Sequence, residues 1–196
     1  MTQINWTPQR LDPDEAIPQT DATLGDFWSW AFSDILSNIT RAAFAEFMVG
    51  SVLGCLDSIP RLNWDMVDLC YRNRLVEVKS SAYVQSWPQK KKSDVVFDIE
   101  AKKGWNYHTN TEYETKVRCA DCYVFCLFTF HDINDKSNAT QHITDADSWR
   151  FCVIPTITLN RVFGSQKKVR LGRLKSEGFT WVPYGELRAA VDAALG

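Results

Sequence analysis

WDMVDLCYRNRLVEVKSSAYVQSW, residues 64–87, decides the fold, because it places two runs of strand-forming residues around a short polar turn. Residues 64–71 and 75–83 are rich in valine, leucine and aromatic side chains, and the polar residues 72–74 lie between them. This pattern is typical of a β-hairpin. We therefore predict two antiparallel strands joined by a three-residue turn.

The length of this turn decides which polar side chains share a face of the hairpin. Glu77 and Lys79 are two residues apart on one strand, so both point to the same face. With a three-residue turn, Asp65 of the partner strand shares that face. A turn of two or four residues reverses the parity and places Asp68 there instead. We favour Asp65, and Asp68 is the alternative.

Two carboxylates and a lysine on one sheet face indicate a metal-dependent site. Neighbouring carboxylates repel each other and raise each other's pKa, and a divalent cation removes this penalty. Mg²⁺, for which Mn²⁺ can substitute, binds through one or two carboxylates together with water and phosphate oxygens. A lysine beside the ion can position the attacking water, so the pattern predicts phosphodiester hydrolysis. The alternative is a solvated Glu77–Lys79 pair on an exposed strand, which contributes little to stability.

The helical stretch before the hairpin carries a further acidic candidate. RAAFAEFMVGSVLG, residues 41–54, places Glu46 on a stripe of small and apolar side chains. A carboxylate on such a face needs a partner or a metal ion. We predict that Glu46 supports the site or a second ion, and an ordinary ion-paired helix residue is the alternative.

Together these features resemble the core of the PD-(D/E)XK superfamily, the restriction-endonuclease-like nucleases. The resemblance rests on an aspartate and Glu77-x-Lys79 across a hairpin, with Glu46 on the preceding helix, and it covers about residues 40–100. Trp64 stands where the family often has a proline. The resemblance implies an α/β, restriction-endonuclease-like fold, in which a central mixed β-sheet is flanked by α-helices.

The resemblance also implies an activity, namely Mg²⁺-dependent hydrolysis of DNA in restriction, phage defence or repair. The implied metal ligands are Asp65, Glu77 and the carbonyl of Val78. Lys79 would position the water, and Ser80 and Gln85 resemble the polar residues that contact substrate after the motif. A catalytically silent module of the same fold, binding nucleic acid or protein, is the alternative.

Positive charge is concentrated after the motif, although the formal net charge is −2. Lys90, Lys91 and Lys92 follow the hairpin, with Lys102 and Lys103 further along, and residues 167–175 contain a second basic run. Such runs are usually solvated surface. Beside a nuclease-like site, we predict that they contact the phosphates of DNA. The superfamily resemblance further implies a homodimer or a partner subunit as open alternatives.

The rest of the chain is predicted to comprise an extended N-terminal arm, residues 1–23, and a single domain, residues 24–196. The arm contains three prolines and no apolar periodicity. Helices are expected over about 24–35, 40–53, 158–163 and 183–195. Further strands are expected over 94–100, 122–130 and 149–154, with an irregular region at 101–117.

Three features predict the cellular location. The longest apolar runs, such as residues 123–130, are too short to span a bilayer. The first twenty residues carry no basic region followed by an apolar stretch, which a secretory signal would have. Most of the six cysteines lie in strand-like runs, which is typical of reduced, buried thiols. We therefore expect a cytoplasmic protein that does not associate with membranes.

Overall fold

The computed structural model describes residues 8–56, 60–61, 67–106, 111–112 and 114–196. In these residues a mixed four-stranded β-sheet is flanked by helices. The predicted α/β class, with a central mixed sheet and flanking helices, is confirmed at this level. No helix in the described ranges is both long enough and apolar enough to cross a membrane.

Six α-helices and eight β-strands lie in the described part of the chain. The helices are α1 (Leu24–Phe32), α2 (Asn38–Leu53), α3 (Lys136–His142), α4 (Thr156–Phe163), α5 (Leu171–Ser176) and α6 (Leu187–Leu195). The strands are β1 (Leu69–Tyr71), β2 (Arg74–Ala82), β3 (Val96–Asp98), β4 (Trp105–Asn106), β5 (Thr111–Glu112), β6 (Cys122–Phe128), β7 (Trp149–Pro155) and β8 (Lys168–Arg170).

The central sheet has the strand order β1-β2-β6-β7 and is covered on both faces. Strand β2 lies antiparallel to β1 and parallel to β6, and β6 lies antiparallel to β7. Every side chain of β6 is buried, as expected for a central strand between two cores. One core joins the sheet to α2 and α6. The other joins it to β3, β8, α4 and α5.

The predicted hairpin is confirmed, but the prediction of a three-residue turn was wrong. Leu69 pairs with Val76 and Tyr71 pairs with Arg74, which leaves only residues 72–73 in the turn. Their φ angles are 50° and 60°. This left-handed pair is typical of a type I′ turn, whose twist matches that of the strands it joins. An arginine rarely adopts this conformation, which is why the sequence pattern favoured a longer turn.

The shorter turn exchanges the two faces of β1, and so changes which of its side chains lie on the same face as Glu77 and Lys79. Extending the observed pairing by one residue places Asp68, and not Asp65, opposite Glu77. The preference for Asp65 on this face rested on the three-residue turn, and that support is lost. Asp65 itself lies outside the described residues.

Most other predicted elements are confirmed, within a few residues at their ends. Helix α1 begins at a capping box between Thr23 and Asp26, and α2 ends at Gly54, whose φ is 70°. Helices α3 and α5 and strand β8 were not predicted, because elements of three to seven residues show too little periodicity. The region 101–117 was expected to be irregular, but it contains the two-residue strands β4 and β5.

Substitutions of Asn73 test the two-residue turn. We expect Asn73→Gly to preserve stability or raise it by up to ~1 kcal/mol, because glycine adopts a positive φ without strain. Asn73→Val should lower stability by about 1–2 kcal/mol, because a β-branched side chain clashes in the left-handed region. Urea unfolding measures both changes, provided that the slope of unfolding free energy against urea concentration is the same for each protein. Equal stability of the two variants would contradict the turn.

Candidate functional site

Glu77 and Lys79 lie side by side on the central strand β2. Their side chains form an ion pair and are 17% and 22% exposed, respectively. Glu77 pairs with Tyr123 and Lys79 with Phe125 of β6, so all four side chains lie on one sheet face. The alternative of a solvated pair on an exposed strand is wrong, because β2 is an inner strand and both side chains are mostly buried.

Asp68 is a third charged residue beside the Glu77–Lys79 pair. It lies just before β1, and its Oδ2 accepts a hydrogen bond of 2.7 Å from the main-chain N–H of Val78. The two-residue turn therefore brings the Asp68 carboxylate to the centre of β2, beside the Glu77–Lys79 pair. This arrangement matches the alternative in which Asp68, in place of Asp65, shares a face with Glu77 and Lys79.

Burial and crowding of negative charge destabilise the ionised form of Glu77. Burial, followed by the charge of Asp68, raises the pKa of Glu77 to about 7, although Lys79 opposes this shift. Burial alone would lower the pKa of Lys79, but the carboxylates of Glu77 and Asp68 outweigh it and raise that pKa. At neutral pH the site therefore holds a permanent ammonium beside a carboxylate that a further cation would stabilise.

The Glu77–Lys79 pair lines a cleft of about 370 Å³ that is open to solvent. Three more charged side chains, Asp98, Glu100 and Lys102, line the same cleft. The two carboxylates were not among the predicted site residues. Asp98 and Glu100 are two residues apart in the predicted strand 94–100, so the same alternation that identified Glu77 and Lys79 could have found them.

Glu46 lies in the core on the other face of the sheet, where an arginine forms an ion pair with it. Its carboxylate forms a two-point ion pair with Arg61, with an Nη2–Oε1 distance of 2.6 Å. Burial raises the pKa of Glu46, the hydrogen bond from Arg61 opposes this shift, and the charge of Asp68 adds to it. The ion pair that the alternative assumed is therefore present. A role of Glu46 with a second ion stays a prediction.

Ser80 and Gln85, the predicted substrate contacts, lie away from the cleft. Ser80 follows Lys79 on β2 and therefore points to the opposite face. Gln85 is 5% exposed, and both of its amide atoms have internal partners. Its Oε1 accepts from Arg41 at 3.0 Å, and its Nε2 donates to the carbonyl of Ala82 at 2.9 Å. This geometry gives Gln85 a structural role and does not support substrate contact.

The predicted DNA-contacting lysines, residues 90–92, are exposed in the loop after β2. Trp87, in the same loop, is 47% exposed. Burial, together with the positive charges of Lys92 and Lys175, lowers the pKa of His131. One lysine from each of the two basic runs of the sequence therefore acts electrostatically on the same histidine.

The oxygen ligands in the described residues suit a hard cation. No three acidic, histidine or cysteine side chains in those residues form a ready-made metal site. Asp68 and Glu77 are the two neighbouring carboxylates that could hold such an ion, since Mg²⁺ uses one or two in proteins. The negative charge of Asp68 contributes to the raised pKa of Glu77, and a cation would offset it. Neither a protein-family model, a curated protein nor a solved structure matches this chain.

Glu77→Gln tests the charge penalty in the site. Because the pKa of Glu77 is raised, the folded protein keeps this proton between about pH 4.5 and 7 while the unfolded chain releases it. The protonated carboxyl of Glu77 therefore contributes stability at low pH, and this contribution is lost as the pH rises through 7. We expect the free energy of unfolding of the variant to be higher than that of the wild type by on the order of 2–3 kcal/mol at pH 8. Urea unfolding measures the difference.

The same exchange at an exposed carboxylate of the cleft is the control. The hydrogen bond from Lys167 lowers the pKa of Glu100, so Glu100→Gln should give no gain in stability at pH 8. The gain of Glu77→Gln should disappear near pH 4, where the group is protonated in both states. A gain of equal size at both pH values would show that ionisation of Glu77 is not its cause.

Proposed function

We propose that the protein is an Mg²⁺-dependent nuclease with a restriction-endonuclease-like fold, which hydrolyses DNA phosphodiester bonds. The observation that carries this proposal is the convergence of Asp68, Glu77 and Lys79 at one point of the central strand. Two of these side chains, Glu77 and Lys79, open into a charged cleft. A role in restriction, phage defence or repair is part of the proposal and rests on the sequence resemblance alone.

Each residue of the site has a separate role. Glu77 and the main-chain carbonyl of Val78 hold Mg²⁺ together with one aspartate, either Asp68 or Asp65. When bound, Mg²⁺ polarises the phosphate and activates water. Lys79 keeps its positive charge because two carboxylates surround it. Its ammonium group orients the water and stabilises the negative charge that develops on the phosphate.

The basic loop after β2 supports DNA as the partner. Gln89 fixes the loop, because its Nε2 lies 3.1 Å from both the carbonyl of Tyr83 and the hydroxyl of Ser93. Lys136 adds a bond of 3.0 Å to the carbonyl of Ser86. The lysines at 90–92 therefore project from a backbone that is already ordered, which reduces the entropic cost of binding phosphates.

A catalytically silent binding module on the same fold is the second candidate. It is favoured by two observations: Glu77 already has an ion-pair partner in Lys79, and Glu46 has one in Arg61. In this case the charged group has no catalytic role, and the basic loop alone contacts nucleic acid.

Cleavage of supercoiled plasmid distinguishes the two candidates. We expect the wild type to nick or cut DNA with Mg²⁺ or Mn²⁺ and to lose this activity in a chelator. Glu77→Ala and Lys79→Ala should each lower the rate about 100-fold or more, because they remove a ligand and a charge-stabilising group. Their DNA affinity, measured by mobility shift, should stay within a few-fold of the wild type.

Two aspartate variants complete this experiment. Loss of cleavage in Asp68→Asn, with activity retained in Asp65→Asn, would assign the metal ligand to Asp68, and the reverse result would assign it to Asp65. Wild-type protein that binds DNA and cleaves none with either ion would support the silent module and refute the nuclease on that substrate.

The lysines at 90–92 are tested by their effect on salt dependence. Replacing all three with glutamine should weaken DNA binding and reduce the slope of log affinity against log salt by about 2–3, roughly 0.9 for each lost phosphate contact. The double variant Arg161→Gln/Arg188→Gln, at exposed positions outside both basic runs, is the control. A triple variant whose salt slope matches the wild type would exclude this loop from DNA contact.

A further inference from the structure

Trp87 is an exposed aromatic residue that precedes three lysines in one loop. The loop joins β2 to β3, Trp87 is 47% exposed, and Lys90, Lys91 and Lys92 follow it. Residues 83–93 contain no acidic residue. Sites for single-stranded nucleic acid combine positive charge along the backbone with aromatic faces on which bases stack. This loop supplies both components.

The loop that carries Trp87 is closed by hydrogen bonds between its own residues. The main-chain N–H of Ser93 donates to the carbonyl of Tyr83 at 2.9 Å and so joins the two ends of the loop. The side chain of Gln89 accepts from the main-chain N–H of Gln85 at 2.6 Å. The backbone of the loop is therefore ordered before any ligand binds.

A lysine from outside the loop fixes the backbone at Trp87 itself. Lys136, the first residue of α3, donates from Nζ to the carbonyl of Ser86 at 3.0 Å and also to the carbonyl of Trp87. Pro88 comes next, and a proline restricts the backbone of the residue before it. The indole therefore extends from a fixed backbone, and only its two side-chain torsions remain to be ordered on binding. Such a side chain stacks at a small cost in conformational entropy.

The second basic run adds positive charge at the Lys92 end of the loop. Burial, followed by the charges of Lys92 and Lys175, lowers the pKa of His131. The His131 ring contacts Tyr83 edge-on, with 4.3 Å between the ring centroids. The carboxylate of Asp132, the next residue, accepts from the main-chain N–H of Asn134 at 2.9 Å. Phosphates beside the loop therefore experience positive charge from more than its own three lysines.

Trp30 lies in the opposite electrostatic environment. Among the tryptophans whose side chains the structure describes, it is the other exposed one, at 84%, and it lies on α1. Residues 8–34 contain six carboxylates and one basic residue, Arg10. This segment would repel phosphates. Trp87 is therefore the exposed tryptophan that suits a nucleic acid, and Trp30 provides a control of the same residue type.

We propose that Trp87 stacks on an unpaired base while the lysines at 90–92 bind phosphates of the same strand. The inference rests on the proposed function for DNA as the partner and does not depend on cleavage. In a duplex each base is paired and stacked between its neighbours, so its face is closed to the indole. Phosphates occur in both forms of DNA and carry no such distinction. Trp87 is therefore the residue through which the protein recognises single-stranded DNA.

Binding of short DNA in the presence of a chelator tests this role, because cleavage then does not interfere. Fluorescence anisotropy measures the affinity for a labelled strand of about 20 nucleotides and for the corresponding duplex. We expect Trp87→Ala to weaken binding of the strand about 10-fold and binding of the duplex less than two-fold. Trp87→Phe, which keeps an aromatic face, should recover most of the loss. Trp30→Ala should bind both ligands like the wild type.

A strand of the same length that lacks bases separates stacking from charge. Trp87→Ala should bind it like the wild type, whereas replacing the lysines at 90–92 with glutamine should weaken binding of all three ligands. Equal binding of the normal strand by the wild type and Trp87→Ala would overturn the proposal. So would a wild type that binds no strand, or a Trp87→Ala loss of equal size on all three ligands.

Plasmid cleavage, measured separately, shows whether the proposed nuclease activity fails independently of this inference. A protein with the expected Trp87 effect that cleaves no DNA would be a silent module that binds single strands. A protein that cleaves plasmid and shows no Trp87 effect would keep the nuclease activity and overturn only the stacking role.

Discussion

The left-handed backbone of Arg72 and Asn73 is the constraint on which the candidate site depends. Because both residues have positive φ, the hairpin closes in two residues, and β1 meets β2 in the register that brings Asp68 beside Glu77. A slip of one residue would move every side chain of β1 to the other face. The side chain of Arg72 also forms an exposed ion pair of 3.1 Å with Asp192 of α6, which contributes little to stability.

The group of charges on β2 is stabilised by the fold around it and does not stabilise the fold in return. Glu77 ionises at a cost, because burial and Asp68 both oppose its negative charge. The stability that offsets this cost comes from the apolar surroundings, above all from β6, whose seven residues are all buried. Charged groups retained at such a cost are typical of functional sites.

The sequence predicted the elements whose pattern is strong and local. The alternation of Glu77 and Lys79, the capping box at Thr23 and the stop at Gly54 all depend on neighbouring residues and were read correctly. The turn was predicted one residue too long, because a left-handed arginine is rare and nothing in the local sequence indicates one. Distance in the chain explains the partner of Glu46, since Arg61 follows it by fifteen residues. The alternation of Asp98 and Glu100 is local, whereas their position beside Glu77 depends on contacts between strands that lie far apart in the chain.

The hydrogen bond from Val78 to Asp68 has a consequence for the main-chain bonding of the sheet. Asp68 comes one residue before β1, and its side-chain carboxylate, not a main-chain carbonyl, accepts from this N–H of β2. A buried main-chain donor that loses its acceptor costs free energy. The same carboxylate therefore ties the candidate site to the backbone of the inner strand, whatever part Asp68 takes in chemistry.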